Sequence, residues 1–374
     1  SSFTSQAGIV WSRAHHTMSH RCLASLPKAE LHIHLEGAMR PKTLTELCQK
    51  HGVARPMDTC GKRFSDFSPF ANCYMAVCEC LREESDLQRL VLEVAEDAAK
   101  SGALWIEPAL SIELYADRFG GVKATLELLM RAAEAAETRT GVAMGFIVAA
   151  ERHLPVPQAE ELATTVKKIA ASGQCTIHGR PGIIGFGLHS AEVGHPPEPF
   201  AEAFRIACSS EIVALPHAGE FAPAPGQGPA SVKFCVDILG ARRIAHGVLS
   251  MEDEELIQHL AKLQVCLDIC PSSNELLGVV PVKESPLPKF MEAGVPCTIN
   301  SDDPLLFGPR LLEEFQLCRD QLKMSDDLLA ACAASSFQHS CAPAELKQRG
   351  LRGVKDWLSQ KGTSLKRSHD SVEA

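Results

Sequence analysis

The sequence predicts an α/β fold, a (β/α)8 TIM barrel with extra helices inserted after the first strand. Short apolar runs of strand length recur eight times along the chain, and longer segments with apolar residues at i, i+3 and i+4 separate many of them. A strand followed by a helix is the repeating unit of a parallel sheet. Eight such units in a chain of 374 residues suit a closed barrel with insertions better than an open sheet.

The eight apolar runs are rich in residues that favour strands. They lie at residues 30–35, 104–110, 145–149, 182–188, 212–216, 243–245, 264–269 and 296–300. Helical periodicity follows at residues 85–101, 121–139, 198–208, 230–239 and 251–262. No GxGxxG motif follows the first run, which weakens the alternative of an open dinucleotide-binding sheet.

The insertion between the first two runs is unusually aromatic for this chain, in which aromatic residues make up only 5%. It contains Phe64, Phe67, Phe70 and Tyr74. These side chains can pack a helix against the barrel, or they can form an apolar lid over a flat ligand. The sequence leaves both interpretations open.

Composition excludes several classes of partner. The net charge of −9 argues against nucleic acid, because binding phosphates needs clustered Lys and Arg. No apolar run approaches the roughly 18 to 20 residues of a membrane span. The 15 cysteines are odd in number, spread through apolar stretches and without a CxxC pair, which is typical of free thiols in a reducing compartment. We therefore expect a cytoplasmic protein with a small-molecule partner.

The chain reads as one domain over residues 25–361, since no Gly/Ser linker, charge block or short repeat interrupts it. Residues 1–24 contain Arg13, Arg21 and three histidines, with no acidic residue before Glu30. This segment is predicted to be a disordered tail, a targeting segment, or sequence upstream of a start at Met18. Residues 362–374 are predicted to be a disordered polar tail.

The first apolar run ends in the motif LHIHLEG at residues 31–37. Because side chains alternate along a strand, His32 and His34 share one face. Two neighbouring imidazoles inside a barrel can bind a metal ion, although an isolated HxH motif is a weak signal.

Later runs end in further ligand-type residues. The motifs LPHAGE, AHG and NSDDP follow the fifth, sixth and eighth runs and contribute His217, Glu220, His246, Asp302 and Asp303. In a parallel barrel these strand ends meet at one rim. Several histidines and a carboxylate there suit zinc with an open position for water.

With these motifs in place, the chain closely resembles the adenosine deaminase branch of the metal-dependent amidohydrolases over residues 26–361. The resemblance is carried, in order, by LPKAELHIHLEG, GIIGFGLHSAE, PHAGE, RRIAHG, CPSSN and NSDDPLLFG. It implies zinc-dependent hydrolytic removal of the 6-amino group of an adenine-type purine. The different signature of the zinc deaminases that act on cytosine or on tRNA adenine is absent.

The resemblance also implies roles for individual residues. One zinc ion per chain would be held by His32, His34, His217 and Asp302. Glu220 would protonate purine N1, His246 would orient and deprotonate the attacking water, and Asp303 would hydrogen-bond N7. This agrees with the chemistry, because attack on C6 pushes electron density onto N1 and a partly buried carboxyl can keep a proton for it.

Two positions bear on substrate choice. Many family members have Asp where this chain has Glu36, and that Asp reaches the ribose 5′-hydroxyl, whereas members acting on free adenine share HLEG. The family commonly has a Gly near Ser190 whose backbone N–H meets purine N3, and serine can supply the same N–H. We expect deamination of adenosine and 2′-deoxyadenosine to inosine products and ammonia, with adenine as the main alternative, followed by N6-methyl-AMP or aminodeoxyfutalosine.

Two other classes of function remain to be weighed. A two-metal hydrolase of amide or phosphoester bonds often has a carboxylated Lys on its fourth strand, and residues 182–188 contain no Lys. A non-catalytic binding protein or growth-factor-like relative would have lost a metal ligand or the acid. None is lost here.

Overall fold

A computed structural model describes residues 21–65 and 67–360, so the predicted tails lie outside the described residues except at positions 21–24. Those four residues belong to the folded body. The backbone N–H of Arg21 donates to the Asp326 carboxylate, and Trp357 Nε1 donates to the Cys22 carbonyl. The folded domain therefore begins before the predicted boundary at residue 25.

Eight parallel strands form the barrel, one at each predicted apolar run. They are β1 (Lys28–His34), β2 (Ala103–Leu110), β3 (Phe146–Glu151), β4 (Ile183–His189), β5 (Val213–Ala214, resuming as His217–Ala218), β6 (Arg243–His246), β7 (Cys266–Ile269) and β8 (Cys297–Ile299). The short strand Ala143–Met144 precedes β3, and Thr176–Ile177 pairs with Arg180–Pro181 before β4. Both faces of these strands are buried, which explains the continuous apolar runs.

Each strand pairs with its neighbour in chain order, from β1 to β5 and from β5 to β8. Pro216 interrupts β5, yet its carbonyl accepts a hydrogen bond from the Ala245 N–H at 3.0 Å. The backbone N–H of His34 donates to the Asp302 carbonyl, and the Asp302 N–H donates to the His32 carbonyl, at 3.0 and 3.1 Å. These bonds join the first strand to the segment after the last, and the carboxyl ends of all strands share one rim.

Helices surround the strands and lengthen the first connection. They are α1 (Pro41–His51), α2 (Phe67–Glu79), α3 (Glu84–Lys100), α4 (Val122–Thr140), α5 (Val156–Ser172), α6 (Ala201–Ala207), α7 (Gln227–Asp237), α8 (Glu254–Leu263), α9 (Pro271–Leu276), α10 (Leu287–Glu292), α11 (Pro304–Phe307), α12 (Leu311–Gln321), α13 (Asp326–His339) and α14 (Ala344–Ser359). The insertion predicted after the first strand is confirmed as α1 and α2. Side-chain caps begin some helices: Asp253 accepts from the Leu256 N–H at the start of α8.

A buried ion network fills the barrel interior below the rim. Arg243 donates to Glu107 and to Asp268, each at 2.6 Å. Trp105 Nε1 donates to Glu107, and the Thr298 hydroxyl donates to Asp268. The network connects β2, β6, β7 and β8, and each charge in it has a partner that offsets its desolvation. We refer to Arg243, Glu107 and Asp268 as the barrel floor.

All 15 cysteines lie within the described part of the chain and none forms a disulfide, which confirms the prediction of free thiols. The Sγ atoms of the neighbouring Cys48 and Cys80 lie 3.5 Å apart, too far for a covalent bond. Among the described residues, no helix is both long and apolar enough to cross a membrane.

Candidate active site

The four predicted metal ligands meet at the rim of the barrel. His32 and His34, at the end of β1, each place Nε2 3.2 Å from Oδ1 of Asp302. The ring of His217 lies beside them, with centroids 4.7 Å from His32 and 5.2 Å from His34. All four residues are more than nine-tenths buried. Strand alternation therefore places both β1 histidines inward, as the sequence predicts.

Buried polar side chains fix the backbone of these ligands. Asn300 Oδ1 accepts hydrogen bonds from the backbone N–H groups of Leu31 and His32 at 2.9 and 3.2 Å. Arg152 Nη2 donates to the His217 carbonyl at 2.6 Å. The ligand positions are thus set by the barrel itself.

The donor atoms fit a divalent metal ion. His217 Nδ1 is buried without a hydrogen-bond partner among the described residues, although buried polar atoms usually have one, and His32 Nε2 faces the carboxylate of Asp302. Burial, together with the neighbouring histidines, lowers the pKa of His217 well below its usual range, so its lone pair is available. Burial opposes ionisation of Asp302, but His32 holds the pKa of Asp302 well below its usual range. Imidazoles together with a carboxylate are a typical zinc ligand set.

Metal-donor atoms here form overlapping groups within 4.8 Å of one another. One group contains His32, His217, His246 and Asp302. A second contains His34, His189 and His217, and a third contains His34, Asp302 and Asp303. His189, which ends β4, therefore belongs to the cluster.

Glu220 lies at the same rim, and its carboxyl forms no ion pair with a Lys or Arg of the described residues. Its Oε1 is 3.5 Å from His246 Nε2 and has no hydrogen-bond partner within the described residues. Glu192 fixes the backbone here, because its two carboxylate oxygens accept from the N–H groups of Gly219 and Glu220 at 2.9 and 2.7 Å. Burial, then the charges of Asp302 and Glu192, raise the pKa of Glu220 well above its usual range.

His246 stands between the acid and the ligands. Its Nε2 lies 3.7 Å from Asp302 Oδ2, and the Asn274 amide nitrogen lies 3.1 Å from its Nδ1. Burial lowers the pKa of His246 to about 3. A neutral, orientated imidazole beside the metal-donor cluster can accept a proton from water.

Asp303 is buried against a glycine of the first connection. Burial and the adjacent Asp302 raise the pKa of Asp303 well above its usual range, and its Oδ1 has no hydrogen-bond partner among the described atoms. A Cβ added at Gly37 would lie 1.6 Å from that oxygen. Only glycine therefore fits at residue 37 without displacing the carboxyl.

The two residues tied to substrate choice are placed differently. Ser190 lines the cavity in a left-handed conformation, with φ of 75°, and its hydroxyl is 3.0 Å from His153 Nδ1. Glu36 is fully buried and is not among the cavity-lining residues. Its carboxylate accepts from the Tyr74 hydroxyl at 2.7 Å and from the Ser111 N–H at 3.3 Å. Donors of the protein itself therefore hold the Glu36 carboxylate away from the cavity lining.

A cavity of about 400 Å³ adjoins the cluster, within the size range of small-molecule sites. Its lining includes His34, His217, Glu220, His246, Asp302 and Asp303. Helix α2 forms one wall, and its Phe70 ring stacks on Phe307 with centroids 5.5 Å apart. The aromatic insertion thus packs on the rim and lines one wall of the cavity, which agrees with both interpretations of these residues.

Comparison with known proteins agrees with this geometry. The family model described as adenosine deaminase matches residues 27–357. The chain belongs to the adenosine deaminase family. It is therefore a hydrolase of the class that acts on the C–N bonds of cyclic amidines, and its family is metal-dependent. The shared core extends over nearly all described residues.

The individual relatives with high similarity are named as deaminases or amidohydrolases. A Streptomyces coelicolor protein provisionally named an adenosine/adenine deaminase is 39% identical over 351 residues, covering 90% of this chain and 98% of the relative. The crystal structure of an adenine deaminase from Arthrobacter aurescens superposes with a TM-score of 0.80 at 29% identity, covering 89% and 99% of the two chains. A zinc-bound amidohydrolase from Burkholderia ambifaria shares the fold at 22% identity, with a TM-score of 0.80 and coverage of 92% and 95%.

Several site residues could not be identified from the sequence. Glu151 and His189 line the cavity at the ends of β3 and β4, and Arg152 and Glu192 hold the loops around it. For Glu151 and Arg152 the available signal was position alone, at the end of an apolar run, whereas His189 and Glu192 also lie in the motif GIIGFGLHSAE. A single polar residue at a strand end is too common to identify a site without its spatial neighbours.

Proposed function

We propose that this enzyme is a zinc-dependent deaminase whose preferred substrate is free adenine, which it converts to hypoxanthine and ammonia. His32, His34, His217 and Asp302 would hold one zinc ion, which supplies Lewis acidity that lowers the pKa of water towards neutrality. The observation that carries the proposal is a buried, cation-free carboxyl, Glu220, held 3.5 Å from a neutral His246 at the edge of a cavity.

The protonation states suit the deamination of a 6-aminopurine. Glu220 keeps a proton because of its burial, and it can donate that proton to N1 while C6 is attacked. His246 is neutral and can take a proton from water and return it to the departing ammonia. Asp303, held protonated by burial and by Asp302, can donate to the lone pair of N7. The backbone N–H of Ser190 would meet N3.

The preference for the base rests on Glu36. If adenosine were preferred, we would expect the Glu36 carboxylate to reach the ribose 5′-hydroxyl. Instead, the carboxylate accepts hydrogen bonds from Tyr74 and Ser111, and Glu36 does not line the cavity. The ribose would then lose a charge-assisted hydrogen bond. Adenosine and 2′-deoxyadenosine remain the second candidate, because a cavity of about 400 Å³ exceeds the needs of a bare base.

Phosphorylated substrates fit less well. The cavity lining within the described chain contains five histidines and no Lys or Arg. A 5′-phosphate carries charge that is normally met by such cations. This argues against N6-methyl-AMP as the main substrate.

Ammonia release by purified, zinc-loaded protein tests the proposal. Adenine, adenosine, 2′-deoxyadenosine and N6-methyl-AMP would be offered in parallel, and kcat/KM compared. We expect activity to be highest with adenine. At least tenfold higher kcat/KM for adenosine would replace the first candidate with the second, and no ammonia from any of them would overturn the function.

A further inference from the structure

Glu151 is a buried carboxyl in the cavity wall that the steps above leave without a role. It ends β3, its side chain lines the cavity, and 4% of the residue is exposed. Its Oε1 has no hydrogen-bond partner among the described residues. A buried acceptor without a donor is costly, so such a group in a cavity indicates a ligand that supplies the donor.

The surroundings of Glu151 contain no fixed positive charge. The Nδ1 atoms of His153 and His189 lie 3.7 and 4.0 Å from its carboxylate oxygens, and burial lowers the pKa of both imidazoles. Arg152, the next residue, directs its guanidinium to the carbonyls of His195 and His217 instead. Glu151 is therefore not one half of a structural ion pair.

The order of the strands, combined with the proposed roles of Glu220 and Ser190, would bring a particular edge of the purine to Glu151. Around the rim, Glu220 follows β5, Ser190 follows β4 and Glu151 ends β3. β3 and β4 are adjacent, with Glu151 opposite His189 in the register. If N1 is at Glu220 and N3 at Ser190, as proposed above, the next nitrogen along this purine edge is N9, which would lie towards the end of β3.

Free adenine and its nucleosides differ at N9. When N7 accepts a proton donor such as Asp303, the base carries its own proton on N9, which is then a hydrogen-bond donor. In adenosine the glycosidic carbon replaces that proton, so no donor remains. A carboxyl oxygen at this place distinguishes the two, because sites that hydrogen-bond a substrate N–H discriminate strongly against analogues lacking it.

We propose that Glu151 is a specificity-determining residue whose free carboxyl oxygen accepts a hydrogen bond from N9–H of the purine base. This deepens the proposed function and rests on it. Ser111 and His153 flank the contact, since both line the cavity beside Glu151.

The test compares adenine with 9-methyladenine, which keeps the reacting amidine but lacks the N9 proton. In the zinc-loaded Glu151→Leu variant, kcat/KM for adenine should fall about tenfold to a hundredfold, as for loss of a hydrogen bond to a charged or acidic group. The kcat/KM for 9-methyladenine should stay within about twofold of the wild type or rise. Glu161→Gln, an exposed carboxyl on α5 outside the cavity lining, is the matched control and should change neither.

Glu151→Gln provides a second variant, because it keeps volume and one acceptor oxygen. It should lose less adenine activity than Glu151→Leu, and it remains informative if the Leu variant does not fold. Equal losses on adenine and 9-methyladenine, or no loss on adenine, would overturn the role of Glu151 while leaving the deaminase function intact. A wild-type enzyme inactive on every 6-aminopurine would instead overturn the function itself.

Discussion

Glu192 and Arg152 are buried charged residues whose hydrogen bonds go to the backbone around β5. Glu192 accepts from three consecutive N–H groups, those of Gly219, Glu220 and Phe221. Arg152 donates to the His217 carbonyl. Together they set the position of His217, a proposed metal ligand, relative to Glu220, the proposed acid three residues later. The charge of Glu192 also helps to raise the pKa of Glu220, which favours its protonated form.

Replacement of that acid tests its chemical role at the residue scale. Glu220→Gln keeps the size of the side chain but has no acidic proton for N1. We expect kcat to fall about a hundredfold or more, with zinc content unchanged. Steady-state ammonia release and metal analysis check this, and the exposed Glu255→Gln serves as control. Turnover close to wild type would mean that another group protonates N1.

At the scale of single elements, α2 contributes one wall of the cavity through aromatic packing. Phe70 stacks on Phe307 and meets Phe64 edge-on at 5.8 Å. Phe67 reaches Phe221, beyond the acid, with ring centroids 5.8 Å apart. The helix is therefore attached to the rim mainly by apolar contacts.

Phe70→Ala should loosen this wall. We expect KM to rise about tenfold with a smaller change in kcat, since the substitution removes apolar contact but no reacting group. Steady-state kinetics with adenine measure it. Phe119→Ala, an aromatic residue packed on Tyr115 away from the cavity, is the control. A fall in kcat with KM unchanged would contradict a purely binding role for this wall.

Helix α12 carries the buried carboxyl of Glu314, which packs against the start of α9. It accepts from the Ser272 N–H at 3.3 Å, and burial raises its pKa to about 8 from an ordinary 4.5. The folded protein thus binds this proton more tightly than the unfolded chain. The folding free energy is unaffected below about pH 4.5, and stability is lost as the pH rises towards 8.

Glu314→Gln should remove that loss, because the amide keeps an acceptor for Ser272 and cannot ionise. The melting temperature of the variant should exceed that of the wild type by a few degrees at about pH 9, and by less at about pH 6. Thermal unfolding at the two pH values measures this. The exposed Glu292→Gln should show no such dependence, and a constant difference at both pH values would contradict the assignment.

At the scale of the whole molecule, metal binding and folding should be coupled. The four ligands come from β1, β5 and the segment after β8, so an ion bound to all of them links distant parts of the chain. A ligand bound only by the folded state stabilises it by mass action. Chelation of the zinc-loaded protein should therefore lower the melting temperature by several degrees.

The variant His217→Ala provides the matched comparison. It should bind zinc poorly, have no activity and show little change in melting temperature when the metal is added or removed. His259→Ala, which alters an exposed histidine on α8, should behave as wild type. A chelation effect of equal size in wild type and His217→Ala would show that the ion acts elsewhere.

The barrel and the ligand cluster could be predicted from sequence for a common physical reason. Strands buried on both faces read as continuous apolar runs, and parallel strands bring their carboxyl ends to one rim. The orientation of the Glu36 side chain was not predictable from the sequence. Its carboxylate accepts a hydrogen bond from Tyr74, which lies in the inserted helix α2 and is brought close only by the fold. Glu151 and His189 were not identified as site residues, because their place in the cavity depends on side chains from other strands.

The barrel floor has a practical consequence for redesign of this enzyme. Arg243, Glu107 and Asp268 connect the strands beneath the cavity, so the scaffold does not depend on the side chains of the upper wall. A mutant library confined to Ser111 and Glu151 would vary substrate preference while the framework stays constant. Directed evolution towards new purine analogues should therefore begin at the ends of β2 and β3.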